Sequence, residues 1–154
     1  MGDPVSKNGS VIPAYDAYRA ARMKFLAEHP MNTADRIGMY AFLFHEKMPR
    51  YSCCLYLLDR KLHLTGTEIL YKGRRLTAER YAPDALDILR RTQPYSFFFS
   101  VSVEDPMNVD SREDEFDLTR AVLYCEQFGF HPCEAVLVLP DSYDPLFRRY
   151  RNAP

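Results

Sequence analysis

The chain of 154 residues contains no tryptophan and no long unbroken apolar run, and it has only six glycines and four cysteines. Six glycines leave little material for a phosphate-binding loop, and neither a P-loop nor a dinucleotide-binding fingerprint is present. A membrane helix needs about 20 consecutive apolar residues, so we expect no membrane span. Two of the cysteines, Cys53 and Cys54, are adjacent. This spacing is not typical of a secreted disulfide framework, and we expect a reduced, cytoplasmic protein.

An excess of charge of either sign is also absent. The chain has 20 Lys and Arg against 21 Asp and Glu, a net charge of −1. Because a dedicated nucleic-acid-binding domain usually carries a basic excess, composition gives no support for that class. The length corresponds to about one domain, and a hydrophobic content of 47% is typical of globular proteins. We predict a flexible segment over 1–13 and a single domain over 14–154.

The apolar pattern predicts an α+β fold with two or three helices and a mixed, largely antiparallel sheet. Strand and helix are both open for 37–44, which is apolar on every face. Its aromatic residues and Gly38 favour a strand, whereas Thr33 or Asn32 as an N-cap followed by Asp35 favours a helix. Pro83 suits the first turn of a helix. Helices are predicted over 14–28, from Pro83 to Pro94, and over 115–128; the other strands are predicted over 51–58, 62–71, 95–103 and 135–139.

The connections predict how the strands pair. Lys72 and Gly73 supply a hairpin turn, after which 74–77 would return antiparallel and complete a β-meander. The later strands alternate with helices and predict a βαβ-like unit, with helices covering one face of the sheet. The helix over 115–128 has an apolar face that we expect in the core: Leu118, Ala121, Val122 and Cys125.

Charge is segregated along the chain. The segment 60–91 holds eight basic and four acidic residues, whereas 104–117 holds one basic and seven acidic residues. One interpretation is a dipolar surface that attracts a complementary partner or a second copy. A phosphate-contacting hairpin with Tyr71 and Tyr81 available for base stacking is another. The alternative is an ordinary solvated surface, with the acids complementing a helix dipole.

Two weak patterns suggest chemistry. His63-Leu64-Thr65 is similar to the His-x-Thr element of phosphoesterases that use two such copies, but the second copy is missing here. Cys125, His131 and Cys133 lie close in sequence but lack the paired Cys-x₂₋₄-Cys spacing of a zinc site. We therefore expect no metal and no cofactor.

These observations favour a non-enzymatic protein-interaction module, such as a small inhibitor, adaptor or immunity-type protein. The expected partner is another protein, and a homodimer is compatible with the charge layout. The alternatives are a small phosphate- or nucleotide-directed enzyme using His63 and Thr65, or a nucleic-acid binder using the basic 60–91 segment. The predicted binding residues are Tyr71, Arg74, Arg75, Arg90, Arg91, Asp110, Glu113 and Asp114.

Overall fold

A computed structural model of the chain describes residues 13–104 and 109–147, with the backbone alone for 109–111. The predicted flexible segment lies outside these residues except for Pro13. The α+β class is confirmed, with four helices in the described residues rather than two or three. The elements are α1 (Pro13–Glu28), α2 (Ala34–His45), β1 (Cys53–Leu58), β2 (Leu64–Tyr71), α3 (Ala78–Thr92), β3 (Ser96–Ser102), α4 (Val109–Glu126), β4 (Pro132–Val138) and β5 (Tyr143–Pro145).

The strands form one mixed sheet in the order β2-β1-β3-β4-β5. β1 pairs antiparallel with both β2 and β3, and β4 pairs antiparallel with β5. β3 and β4 are parallel and are joined by α4, as the predicted βαβ-like unit requires. The predicted meander is wrong in its third strand, because 74–77 leads into α3 instead of returning along β2.

Helix α3 begins five residues before Pro83, which therefore lies inside the helix rather than in its first turn. The earlier start is explained by Ala78, Tyr81, Ala82 and Ala85, which are buried at helical spacing. Proline removes one helical hydrogen bond, and this cost is offset because the face beside it packs into the core.

The predicted strand over 37–44 is wrong, since these residues belong to α2. Thr33 caps the helix, with its Oγ1 accepting a hydrogen bond from the Arg36 N–H at 3.1 Å. Gly38, which favoured a strand, has a packing role: a Cβ there would lie 2.2 Å from the ring of Tyr143. The glycine lets α2 approach β5 closely.

Helices cover both faces of the sheet rather than one. One core lies under α3 and α4 and includes Cys53, Phe97 and Phe99. The other lies under α1 and α2 and includes Cys54 and Phe98, because successive side chains of a strand point to opposite faces. None of the helices in 13–104 and 109–147 is long and apolar enough to cross a membrane.

Candidate functional site: the α3–α4 face

Helices α3 and α4 lie side by side, and their outer surface, which we call the α3–α4 face, contains a groove. The main part of the groove has a volume of about 480 Å³, and a smaller recess of about 260 Å³ lies near the start of both helices. Arg120 lines both parts, so they form one feature, which we call the α3–α4 groove. Its main part is lined by Ala78, Glu79, Ala82, Pro83, Arg120, Leu123, Tyr124 and Gln127.

The sequence explains both the depth and the apolar character of this groove. On α3 the lining residues Ala78, Ala82 and Pro83 are small and leave space that larger side chains would fill. On α4 an outward stripe repeats at spacings of four, three and four residues, which is one face of a helix. Within this stripe Phe116 is 68% exposed and Leu123 is 54% exposed. The stripe consists of Phe116, Arg120 and Leu123 on α4 and of Gln127, the first residue after the helix.

The start of the groove is fixed by hydrogen bonds between α4 and the segment that leads into α3. The Arg75 guanidinium donates two hydrogen bonds of 2.9 Å to the buried carboxylate of Asp114. Two parallel hydrogen bonds of this kind are stronger than a single one and fix the orientation of the guanidinium. These links show that the predicted basic and acidic segments partly neutralise each other across α3 and α4.

Asp117 supplies the N-terminal cap of α3 from the neighbouring helix. Its Oδ1 accepts a 2.9 Å hydrogen bond from the Ala78 N–H, while the side chain of Thr77 at the cap position makes no capping hydrogen bond. Burial raises the pKa of Asp117, and the Ala78 N–H opposes that rise. Arg120 forms an ion pair with Glu79 and lies 3.5 Å from Asp117. Ala78 pairs with Asp117 and the next residue, Glu79, pairs with Arg120, so residue numbers increase in the same direction along both helices. Helices α3 and α4 therefore run in the same direction.

Three of the predicted binding residues, Tyr71, Arg75 and Asp114, have partners within the structure. Tyr71 is buried at the end of β2, with its ring 5.3 Å from that of buried Tyr81. The expectation that these two rings stack on bases is therefore wrong. Arg75 and Asp114 bind each other. Their positions were read as separate surfaces because the sequence does not show the register between α3 and α4.

The other predicted binding residues are exposed at the surface, except Asp110, whose side chain lies outside the described residues. Arg74, Arg91 and Glu113 are exposed. Arg90 is exposed too, and its guanidinium lies 5.1 Å above the ring centre of Phe128 at the far end of the α3–α4 face. Asp110 belongs to α4, but its side chain lies outside the described residues.

We predict that Arg75→Glu lowers the free energy of unfolding by about 1–2 kcal/mol, because it places a carboxylate against buried Asp114. Arg74→Glu, its exposed neighbour, is expected to change stability by less than about 0.5 kcal/mol. Urea unfolding at neutral pH measures both variants. Equal midpoints for the two variants would contradict a structural role for the pair.

The second predicted site, His63 with Thr65, is not assembled for phosphate transfer. His63 lies in the turn before β2 and not on the strand, and its backbone N–H donates to Asp59 Oδ1 at 2.9 Å. The Thr65 hydroxyl donates to the carbonyl of Leu57 at 3.2 Å. Thr65 lines an open cavity of about 660 Å³ together with Arg60 and His131, but His63 is not among its lining residues.

This second cavity has a charge pattern that disfavours a phosphate. Asp59 lines it, and α3 ends there at Thr92, so the negative end of the helix dipole adds to the carboxylate. Arg60 also lines the cavity and opposes this negative charge, and its guanidinium lies 5.6 Å from the ring centre of Tyr95. The hydroxyl of Thr92 already donates to the Ile88 carbonyl at 2.7 Å. The cavity therefore offers few unengaged donors to an anion.

A third constellation was missed by sequence reasoning, because its members are far apart in the chain. His45 Nε2 lies 2.6 Å from Ser100 Oγ, which lies 2.8 Å from the hydroxyl of Tyr56. The distance suits a base and a nucleophile, but all three side chains are buried between α2 and the sheet. Burial lowers the pKa of His45 to about 3. The trio is a polar network of the core, out of reach of a substrate.

Three of the four cysteines, Cys53, Cys54 and Cys125, are buried in environments unsuited to reactivity. Burial raises the pKa of Cys54 and of Cys125 to about 12, and a thiol is a poor nucleophile without its thiolate form. Within 13–104 and 109–147 no group of three or more His, Cys, Asp and Glu side chains could hold a metal ion.

Comparisons with known proteins give no match, so the candidate function rests on the side chains described above. No protein-family model matches the chain, and no curated protein matches it. Of the three constellations, the α3–α4 groove is the one that combines exposed apolar groups with a fixed polar frame.

Proposed function

We propose that this protein is a non-enzymatic interaction module of the inhibitor, adaptor or immunity type, which binds another protein through the α3–α4 face. The observation that carries the proposal is the outward stripe of α4, where Phe116 and Leu123 stand open to solvent beside an apolar groove. Contiguous exposed apolar groups rimmed by polar ones are typical of protein-binding surfaces.

The composition of the face supports this function. Aromatic anchors and arginine are enriched in interfaces, with apolar groups at the centre and a polar rim. Here Leu123 and Tyr124 line the centre, and Glu113 and Arg75 line the recess at one end. The hydrogen bonds between α3 and α4 hold this frame before a partner arrives, which reduces the entropy lost on binding.

The proposed location is the cytoplasm. All four cysteines carry free thiols, although Cys53 and Cys125 belong to the same core cluster. Free thiols are the usual state in a reducing compartment.

The experiment compares partner capture by two variants with exposed apolar side chains replaced. Leu123→Glu alters the α3–α4 face, whereas Tyr18→Glu alters an exposed ring on α1, across the sheet. In quantitative affinity purification from the native host, we expect Leu123→Glu to reduce capture of the specific partner at least about tenfold. Tyr18→Glu should retain it, and both variants should keep the wild-type melting temperature. Undiminished capture by Leu123→Glu would contradict the proposal.

A further inference from the structure

We propose that the α3–α4 face also pairs with a second copy of this chain, as a two-fold dimer in which the helices of the two copies run antiparallel. This inference rests on the proposed function, because it names an occupant for the same face. An isologous dimer needs a surface that is complementary to itself after a two-fold rotation. The charges, the apolar groups and the size of the face each meet this condition.

The charges differ between the two ends of the face. At the start of the helices the groove lining has a net charge of −2, although Arg74 and Arg112 are also exposed near this end; the lining holds two arginines and four acidic residues: Arg75, Arg120, Glu79, Glu113, Asp114 and Asp117. At the other end Arg90 covers Phe128. A two-fold rotation across the helices places the Arg90 end of one copy over the Glu113 end of the other, so the Arg90 guanidinium of each copy meets the acidic groove lining of the other.

The apolar groups follow the same symmetry. With the two-fold axis at the middle of the α4 stripe, between Arg120 and Leu123, Phe116 of one copy lies level with Gln127 of the other. Phe128, which is 44% exposed, then lies close to the second copy's Phe116. The pairing covers three exposed apolar side chains of each copy. Arg120 lies near the axis, but its charge is already balanced by Glu79 and Asp117.

The size and net charge of the molecule also suit self-association. α3 and α4 have 15 and 18 residues, so they are about 22 and 27 Å long. Two such helices about 10 Å apart present a face of the order of the 800 Å² per partner that a standard interface buries. A net charge of −1 produces little repulsion between copies.

Sharing one face would couple dimerisation to partner binding. A partner protein and a second copy would occupy the same face, so each must exclude the other. Dilution would expose the face, and the partner would shift the dimer toward monomer by mass action.

The test is sedimentation velocity on the full chain from about 1 to 200 µM, a range that covers dimers with dissociation constants in the micromolar region. We expect the wild type and Tyr18→Glu to dimerise and Leu123→Glu to stay monomeric. Arg90→Glu and Glu113→Arg should each weaken the dimer about tenfold, and the double variant should restore it, because the two charges exchange places across the axis.

Three results would overturn the inference: a monomeric wild type throughout the range, a dimer that Leu123→Glu leaves intact, or a double charge reversal without rescue. Its failure is separable from failure of the proposed function. A monomeric wild type whose partner capture still depends on Leu123 overturns the dimer alone. Partner capture independent of Leu123 overturns the proposed function, whatever the sedimentation result.

Discussion

Phe98→Asp is expected to leave the chain unfolded at 25 °C. Phe98 is fully buried in β3, the central strand, between β1 and β4. Its ring is stacked on that of Tyr56, with 4.2 Å between ring centres and 8° between planes. Losing a buried phenylalanine costs about 3–5 kcal/mol, and burying an unpaired carboxylate adds several more. Their sum is comparable with the whole stability of a domain, about 5–15 kcal/mol.

Far-UV circular dichroism and urea unfolding test this expectation. Phe116→Asp is the matched control, because it makes the same substitution at an exposed position on α4. That variant should unfold within about 0.5 kcal/mol of the wild type. A cooperative transition for Phe98→Asp at the wild-type midpoint would show that β3 is not the centre of the sheet.

The strands β1 and β3 could be predicted because their signal is local. Residues 97–103 are aromatic, β-branched or small and lie between Pro94 and a polar loop, and every residue of β3 is buried. The apolar face of α4 was predicted correctly for the same reason, since Leu118, Ala121, Val122 and Cys125 recur at helical spacing and are buried.

The local cues for α2 conflict, because Thr33 as an N-cap favours a helix whereas Gly38 favours a strand for a reason that lies elsewhere in the chain. Gly38 weakens a helix by about 1 kcal/mol relative to alanine, and so it favoured a strand. The structure explains the glycine by the ring of Tyr143, which is far away in the chain. A local pattern cannot reveal a contact of that kind.

The candidate site was predicted in composition but not in arrangement. The basic and acidic segments do meet, yet Arg75 and Asp114 bind each other, which depends on the register between α3 and α4. The exposed stripe was missed, although a signal existed. Phe116 and Leu123 fall on the side of α4 opposite its core face, and large apolar residues at such positions are a cue for a binding surface.

Acid is expected to destabilise the protein through His45. Its side chain is buried at the end of α2, its Nε2 lies 2.6 Å from Ser100 Oγ, and its Nδ1 has no hydrogen-bond partner among the described residues. Burial, with a smaller contribution from Arg50, lowers its pKa from 6.5 to about 3. Well above pH 6.5 the imidazole is neutral in both the folded and the unfolded chain, so it contributes no pH dependence there.

Below pH 6.5 the unfolded chain takes up a proton that the folded chain refuses, and stability falls as the pH falls. Between pH 6 and pH 4 we expect His45 to lower the free energy of unfolding by up to about 1.4 kcal/mol per pH unit. Urea unfolding across this range should show a shallower loss for His45→Gln, which cannot take up a proton and keeps an amide near Ser100. The carboxylates are common to both proteins, so the difference in slope reports His45 alone. Equal slopes would mean that His45 binds a proton in the folded chain.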